Sequence, residues 1–323
     1  MEQRTVFDEI RESCRQVAER AHHVRIRSER IAECVPPLLS RALDVPALDT
    51  ASHFASDSES TIAYFVTLAA VNFGSGYFPQ LDKRPGMSGY YTVATALTER
   101  FRLRGPFTAA ELARVTAGDC AELLGQDAGA LSVAELMTLF AEAWNDLGRD
   151  LIARFGGDFS KCVAAAQHSA ARLVKILSEQ PFFQDVSSYH GLDVPFYKRA
   201  QLLASDLSLA LDGRGLGRFD DLDQLTIFAD NLVPHVLRLE GILEYSESLG
   251  QAIETERLIP SGSDEEIEIR ACCVHAVELM IEAAAESEVI WTARDVDQVL
   301  WHQGQSARYK KQGKRHRTRT TFY

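Results

Sequence analysis

Val194–Leu237 reads VPFYKRAQLLASDLSLALDGRGLGRFDDLDQLTIFADNLVPHVL. An aromatic pair stands beside a Lys-Arg dipeptide, Phe196-Tyr197-Lys198-Arg199, and an amphipathic helix follows it. The glycine-rich turn Gly213–Gly217 interrupts the chain, and a second apolar run closes on an acid, Ile227-Phe228-Ala229-Asp230, with Pro234 four residues on. The polar residues here have two readings. A cation, an aromatic ring and a carboxylate at segment ends suit a site for an anionic, ring-containing substrate. Equally, Asp230 suits a helix N-cap and Lys198-Arg199 a solvated first turn, the commoner fate of such residues.

The same helical signals extend outward in both directions. Upstream, Thr108-x-x-Glu111 and Ser132-x-x-Glu135 read as capping boxes ahead of apolar-periodic runs. A helix over Val133–Phe155 is expected to stop at Gly156-Gly157, and Asp158 to cap another running to about Ser178. Thr61–Asn72 is a continuous apolar run of helix length, followed by a structured loop, Phe73–Pro79, and a short helix over Val93–Phe101. Val6, Ile10, Val17, Val24 and Ile31 recur at helical spacing, so the first 45 residues read helical, punctuated by Pro36-Pro37 and Pro46. Downstream, helices are expected over 265–286 and Ala293–Trp301. A short strand is expected only at Asp185–Tyr189. The fold class is therefore mainly α with few or no strands. It is read as a single domain, with an N-terminal helical layer over 1–48 and a body over 49–323.

Composition narrows the function. With 323 residues, 46% hydrophobic and 25% charged, the chain buries a large core without staples. Six scattered cysteines with no C-x-x-C pair point to a reduced, cytoplasmic setting. Charges at Glu2, Arg4, Asp8 and Glu9 argue against a signal peptide, and no apolar run reaches membrane-spanning length. A net charge of −12 argues against a stable nucleic-acid complex. The exception is the tail Arg308–Tyr323, with seven Lys or Arg and no acid, which ends in Thr320-Thr321-Phe322-Tyr323 and is expected to dock back on the body. Dinucleotide, P-loop, zincin and serine-hydrolase motifs are all missing, so a reaction without metal or cofactor, or a binding role, remains.

Several positions carry chemistry of their own. Asp230 is read as ending an apolar helix at a corner before Pro234, a rigid place to aim a carboxylate. Asp297 and Trp301 lie four residues apart on one helix face, with His302 next: an acid beside an indole suits a flat, donor-rich base. A core Trp with an exposed Asp fits equally well. Glu268 and Arg270 fall in the first turns of a helix. Asn72 and Phe73 stand where a buried helix gives way to glycines, a position where Asn also satisfies loop backbone.

Taken together, these segments resemble the queuosine salvage family, the queuosine 5′-phosphate N-glycosylase/hydrolases. The matching pieces are Asn72-Phe73, Ser88-Gly89-Tyr90, Phe155-Gly156-Gly157, FYKRAQ at 196–201, Phe228-Ala229-Asp230, Glu268-Ile269-Arg270, Asp297-x-x-Leu300-Trp301 and His316-Arg317, spanning 53–323. His302 departs from the Asp that often follows the Trp in members outside bacteria, and the loop Gly74–Phe78 also departs from the common pattern. The resemblance implies a fold like that of helical DNA glycosylases. It also implies hydrolysis of queuosine 5′-monophosphate to queuine and ribose 5-phosphate, for queuine salvage in tRNA modification. Queuine is a 7-deazaguanine, so protonation at N7 is closed to the enzyme. Catalysis must then rest on stabilising an oxocarbenium-like sugar and holding the departing base. On this reading Asp230 serves the sugar and Asp297 the guanine-like edge, while Phe228 and Trp301 stack on the base. His53 and His302 contact the base or its substituent. Lys198 and Arg199 meet the ribose or phosphate, joined by His316, Arg317 and Arg319 of the tail. Asn72, Tyr90, Glu268 and Arg270 order the site. The rival is a non-catalytic tRNA- or nucleic-acid-binding helical protein that uses the basic tail.

Overall fold

The computed structural model describes residues 4–39, 48–127, 129–286 and 290–323. Pro46, expected to end a short element, lies outside the described residues. In chain order the helices are α1 (Val6–Arg20), α2 (Ser28–Leu39), α3 (Ser58–Val71), α4 (Gly89–Arg104), α5 (Ala109–Leu112), α6 (Ala117–Leu124), α7 (Leu131–Phe155), α8 (Phe159–Ala164), α9 (Ala170–Ser178), α10 (Lys198–Ala210), α11 (Val233–Leu239), α12 (Glu247–Glu254), α13 (Asp264–Ala285), α14 (Ala293–Gln305) and α15 (Ala307–Lys311). The strands are β1 (Val24–Ile26), β2 (Val186–Tyr189), β3 (Leu192–Pro195) and β4 (Leu243–Tyr245). The fold is mainly α. β1 pairs antiparallel with β4, and β2 with β3.

The chain divides into two compact units, interleaved along the sequence. Unit 1 takes Met1–Pro46, Asp185–Lys198 and Asp223–Arg319; unit 2 takes Ala47–Gln184, Arg199–Leu222 and Thr320–Tyr323. Unit 1 is built on α13. Every residue from Glu266 to Val274 is buried, so this helix is surrounded on all sides, with α1, α2, α11 and α14 packed on it. A buried polar side chain in such a helix must be paired. Glu268 meets that demand by accepting the backbone N–H of His22, His23 and Val24 and the hydroxyl of Tyr189. One carboxylate thus ties the α1–β1 turn and the β2–β3 hairpin to the central helix. In unit 2 the same place is held by α3, buried from Thr61 to Val71 and packed on α7 and α8.

Several elements differ from the expectation. Val24 belongs to a strand, because its partner Tyr245 lies far along the chain. α2 continues through Pro36 and Pro37, giving up the amide bonds those residues cannot donate. Ser132 is already inside α7, whose N-cap is Ala130, so it forms no capping box; Thr108 and Glu111 do form one. The helix expected from Asp158 to Ser178 breaks in two at Gln167 and His168, both left-handed at φ 50° and 61°. The break has a partner: the Asp221 carboxylate accepts from Ser169 Oγ, Ala170 N and Ala171 N at 2.8, 2.6 and 3.1 Å, starting α9 afresh.

The basic tail is folded. Ile259 N donates to Arg317 O at 2.8 Å, His316 and Thr318 are buried, and Arg315 donates to Gly304 O at 3.3 Å, all within unit 1. Thr320–Tyr323 belong to unit 2, where Gly74 N donates to Tyr323 O at 3.0 Å.

Candidate active site

The Phe228–Asp230 segment of unit 1 is not a helix end. Leu225–Ala229 is buried and belongs to neither helix nor strand, and α11 starts after it. Asp230 accepts Leu232 N at 2.7 Å and Val233 N at 3.1 Å, both on Oδ1. The N-cap residue of α11 is Leu232, so Asp230 is not the cap itself; its Oδ1 holds the two amides that lead into the helix, and Oδ2 takes no part in these bonds.

Asp297, one turn before the half-buried Trp301 on α14, is 7% exposed, and its Oδ1 accepts Phe228 N at 3.2 Å. It is not the exposed acid of the bland reading. α14 also lies hard against the Asp230 corner. A Cβ on Gly304 would fall 2.5 Å from Leu232 Cδ1, so only glycine admits this approach. The buried Cys273 thiol of α13 is pushed well up by burial first and then by the charges of Asp230 and Asp297. Burial lowers the pKa of the Arg315 guanidinium, and the charge of Asp230 opposes that shift.

Lys198 opens α10, is 7% exposed, and donates its backbone N–H to Asp185 Oδ2 at 3.1 Å. It is not a solvated first-turn residue. His302 is exposed, with Nδ1 2.7 Å from Gln298 O of its own helix. His316, expected among the phosphate ligands, is buried, and its pKa is pushed down to about 3 by burial first and by Arg270 next. It is neutral near pH 7 and brings no charge to a phosphate.

Three expected residues lie in unit 2. Arg199 is buried; it donates to the carbonyls of Ala69 and Ala70 at 2.8 and 2.7 Å and to Phe182 O, between the rings of Phe73 and Phe183. The bonds to Ala69 and Ala70 are those of a residue that closes the C-terminal end of α3. Asn72 is the C-cap residue of α3. His53 has both ring nitrogens engaged, Nδ1 3.0 Å from Asp49 O and Nε2 2.7 Å from Tyr90 Oη. A carbonyl only accepts, so Nδ1 carries the proton and Tyr90 donates to Nε2. Burial lowers the pKa of His53, in keeping with that neutral form.

Sequence reasoning missed Asp185, Arg315 and Cys273. A lone Asp after an aromatic pair, a tail arginine and a core cysteine carry no spacing signal. Among the described residues no three His, Cys, Asp or Glu side chains converge as a metal-binding group, and no helix is long and apolar enough to cross a membrane.

The protein is mainly helical, and in it the Asp297 carboxylate is tied to the backbone two residues before Asp230. The family described as queuosine salvage protein matches residues 52–323, and the chain belongs to it. It is 37% identical over 319 residues to the queuosine 5′-phosphate N-glycosylase/hydrolase of Sphaerobacter thermophilus, covering 96% of each chain. The protein of that name from Dictyostelium discoideum is 35% identical over 82% of this chain and 79% of its own. The one from Mus musculus is 29% identical over 97% and 98%.

Proposed function

We propose that this protein hydrolyses the N-glycosidic bond of queuosine 5′-monophosphate, releasing queuine and ribose 5-phosphate for salvage into tRNA modification, in the cytoplasm. The observation that carries the reading is the joining of Asp297 to the Phe228–Asp230 segment by the Phe228 N–H bond. It ties one carboxylate to the backbone two residues before the other, which supports their acting at one site. In this mechanism the C1′–N9 bond breaks as positive charge builds on the ribose, and Asp230 stabilises that charge. Water adds its hydroxyl to C1′, and its proton ends on the departing base. Asp297, its plane fixed by Phe228 N–H, accepts from the N1–H and amino group of the guanine-like edge. Phe228 and Trp301 stack on the base. Lys198 meets the ribose or the 5′-phosphate. The substrate is a small nucleotide, and no stable nucleic-acid complex forms.

Incubation with queuosine 5′-monophosphate, queuosine and GMP, with free base followed by chromatography, tests this. Release of queuine from the monophosphate is expected, with slower release from the nucleoside. Release from none of the three, together with salt-sensitive tRNA binding, would favour the nucleic-acid-binding rival instead.

A further inference from the structure

Asp185 and Arg270 form an ion pair in the core of unit 1, with side chains 3% and 0% exposed, and a second buried carboxylate, Glu266, lies 3.8 Å from the same guanidinium. The guanidinium grips the carboxylate fork on fork, Nη1 to Oδ1 at 2.8 Å and Nη2 to Oδ2 at 2.7 Å. Both ends of the pair continue into main chain. Arg270 Nε donates to Ala229 O at 3.2 Å, the carbonyl immediately before Asp230. Asp185 holds the entry to α10: its carbonyl accepts Phe196 N and Tyr197 N at 2.9 and 3.3 Å, and its Oδ2 accepts Lys198 N at 3.1 Å. Tyr197 sits at φ 46°, a left-handed conformation that a tyrosine keeps only where its surroundings over-determine it. Phe196 lies beneath the guanidinium, 3.9 Å from its carbon to the ring centroid.

A buried ion pair is a poor way to gain stability. Apolar residues of similar volume often replace one with no loss. This pair does something an apolar pair cannot: it hydrogen-bonds to the two backbone segments that carry Lys198 and Asp230. Resting on the function proposed above, we infer that Asp185 and Arg270 are a positioning pair, which sets the Lys198 amide and the Asp230 corner in one fixed relation. They touch no substrate and take no part in proton transfer.

The test uses the full chain in three forms: Asp185→Asn, Arg270→Lys, and the double swap Asp185→Leu with Arg270→Met. Turnover of queuosine 5′-monophosphate is normalised to the folded fraction read by near-UV circular dichroism. In each variant that folds, kcat is expected to drop by roughly 100-fold, the order of loss for a small misplacement of a catalytic group, with KM nearly unchanged. Full kcat in the folded double swap would overturn the inference. So would loss of the fold in all three, which would show a role in stability alone. If wild-type protein released no base, the proposed function itself would fail; full turnover in wild type and double swap alike would remove only the pair's role.

Discussion

Arg270 in unit 1 and Arg199 in unit 2 are both buried arginines stacked on phenylalanine rings, yet their partners differ in kind. Arg199 donates to the carbonyls of Ala69, Ala70 and Phe182, all main chain. Arg270 grips the Asp185 carboxylate, stands 3.8 Å from that of Glu266 and reaches the Ala229 carbonyl with Nε. A guanidinium among carbonyls finishes a helix end. One paired to an acid that also organises a second segment fixes two segments against each other. Burial and charge alone do not separate these roles, and the partner list does.

The comparison can be broken most sharply at Arg270. Arg270→Ala leaves Asp185 buried beside no guanidinium and is expected to cost about 3–5 kcal/mol. Chemical denaturation measures it, and a loss under 1 kcal/mol would mean that the carboxylate finds another partner. Arg199→Ala strands carbonyls instead and should cost about 1–3 kcal/mol, while kcat per folded molecule stays at the wild-type value. A large fall in that normalised kcat would return Arg199 to the substrate site. Gly304→Ala pushes a methyl into Leu232 and is expected to cost about 1–3 kcal/mol by overpacking. An unchanged melting temperature would show that α14 and the Asp230 corner yield easily.

The smallest effect concerns pH. His316 is held at about 3 in the fold, against an ordinary 6.5, by burial and then by Arg270. Below pH 6.5 the unfolded chain takes up a proton that the folded chain refuses. The contribution of His316 is therefore whole above 6.5 and is lost as pH falls towards 3. His53, His235 and His275 are shifted down as well, chiefly by burial, and act in the same sense. Replacing His316 with Gln should flatten, without abolishing, the fall of melting temperature between pH 6.5 and 4. Identical slopes would show that His316 protonates freely in the folded protein.

Much of this was legible in the sequence. Gly156 stops α7 in the left-handed conformation, and Asp158 caps α8 as its position requires. Asp230, Asp297 and Trp301 stand out by residue type and spacing, and the family resemblance rests in part on the same residues. The failures have a common cause in partners distant along the chain. Ile227–Asp230 is too short a run for periodicity to settle its structure, and it is held instead by distant bonds, from Phe228 N to Asp297 and from Arg270 to Ala229 O. Asp221 breaks the helix after Asp158 from fifty residues away. Arg199 read as an exposed cation because nothing in FYKRAQ shows that α3 ends beside it. The Asp185–Arg270 pair joins residues 85 apart, with no motif to mark either one.

The measurement closest to the central claim is queuine release from queuosine 5′-monophosphate by Asp230→Asn beside wild type. Asparagine keeps an oxygen for the Leu232 and Val233 amides, so the turn into α11 and the fold should survive. The charge facing the ribose is removed, and kcat should fall by about 100- to 1,000-fold or more, the loss seen when one transition-state charge partner is taken away. Release near the wild-type rate from the folded variant would contradict the account.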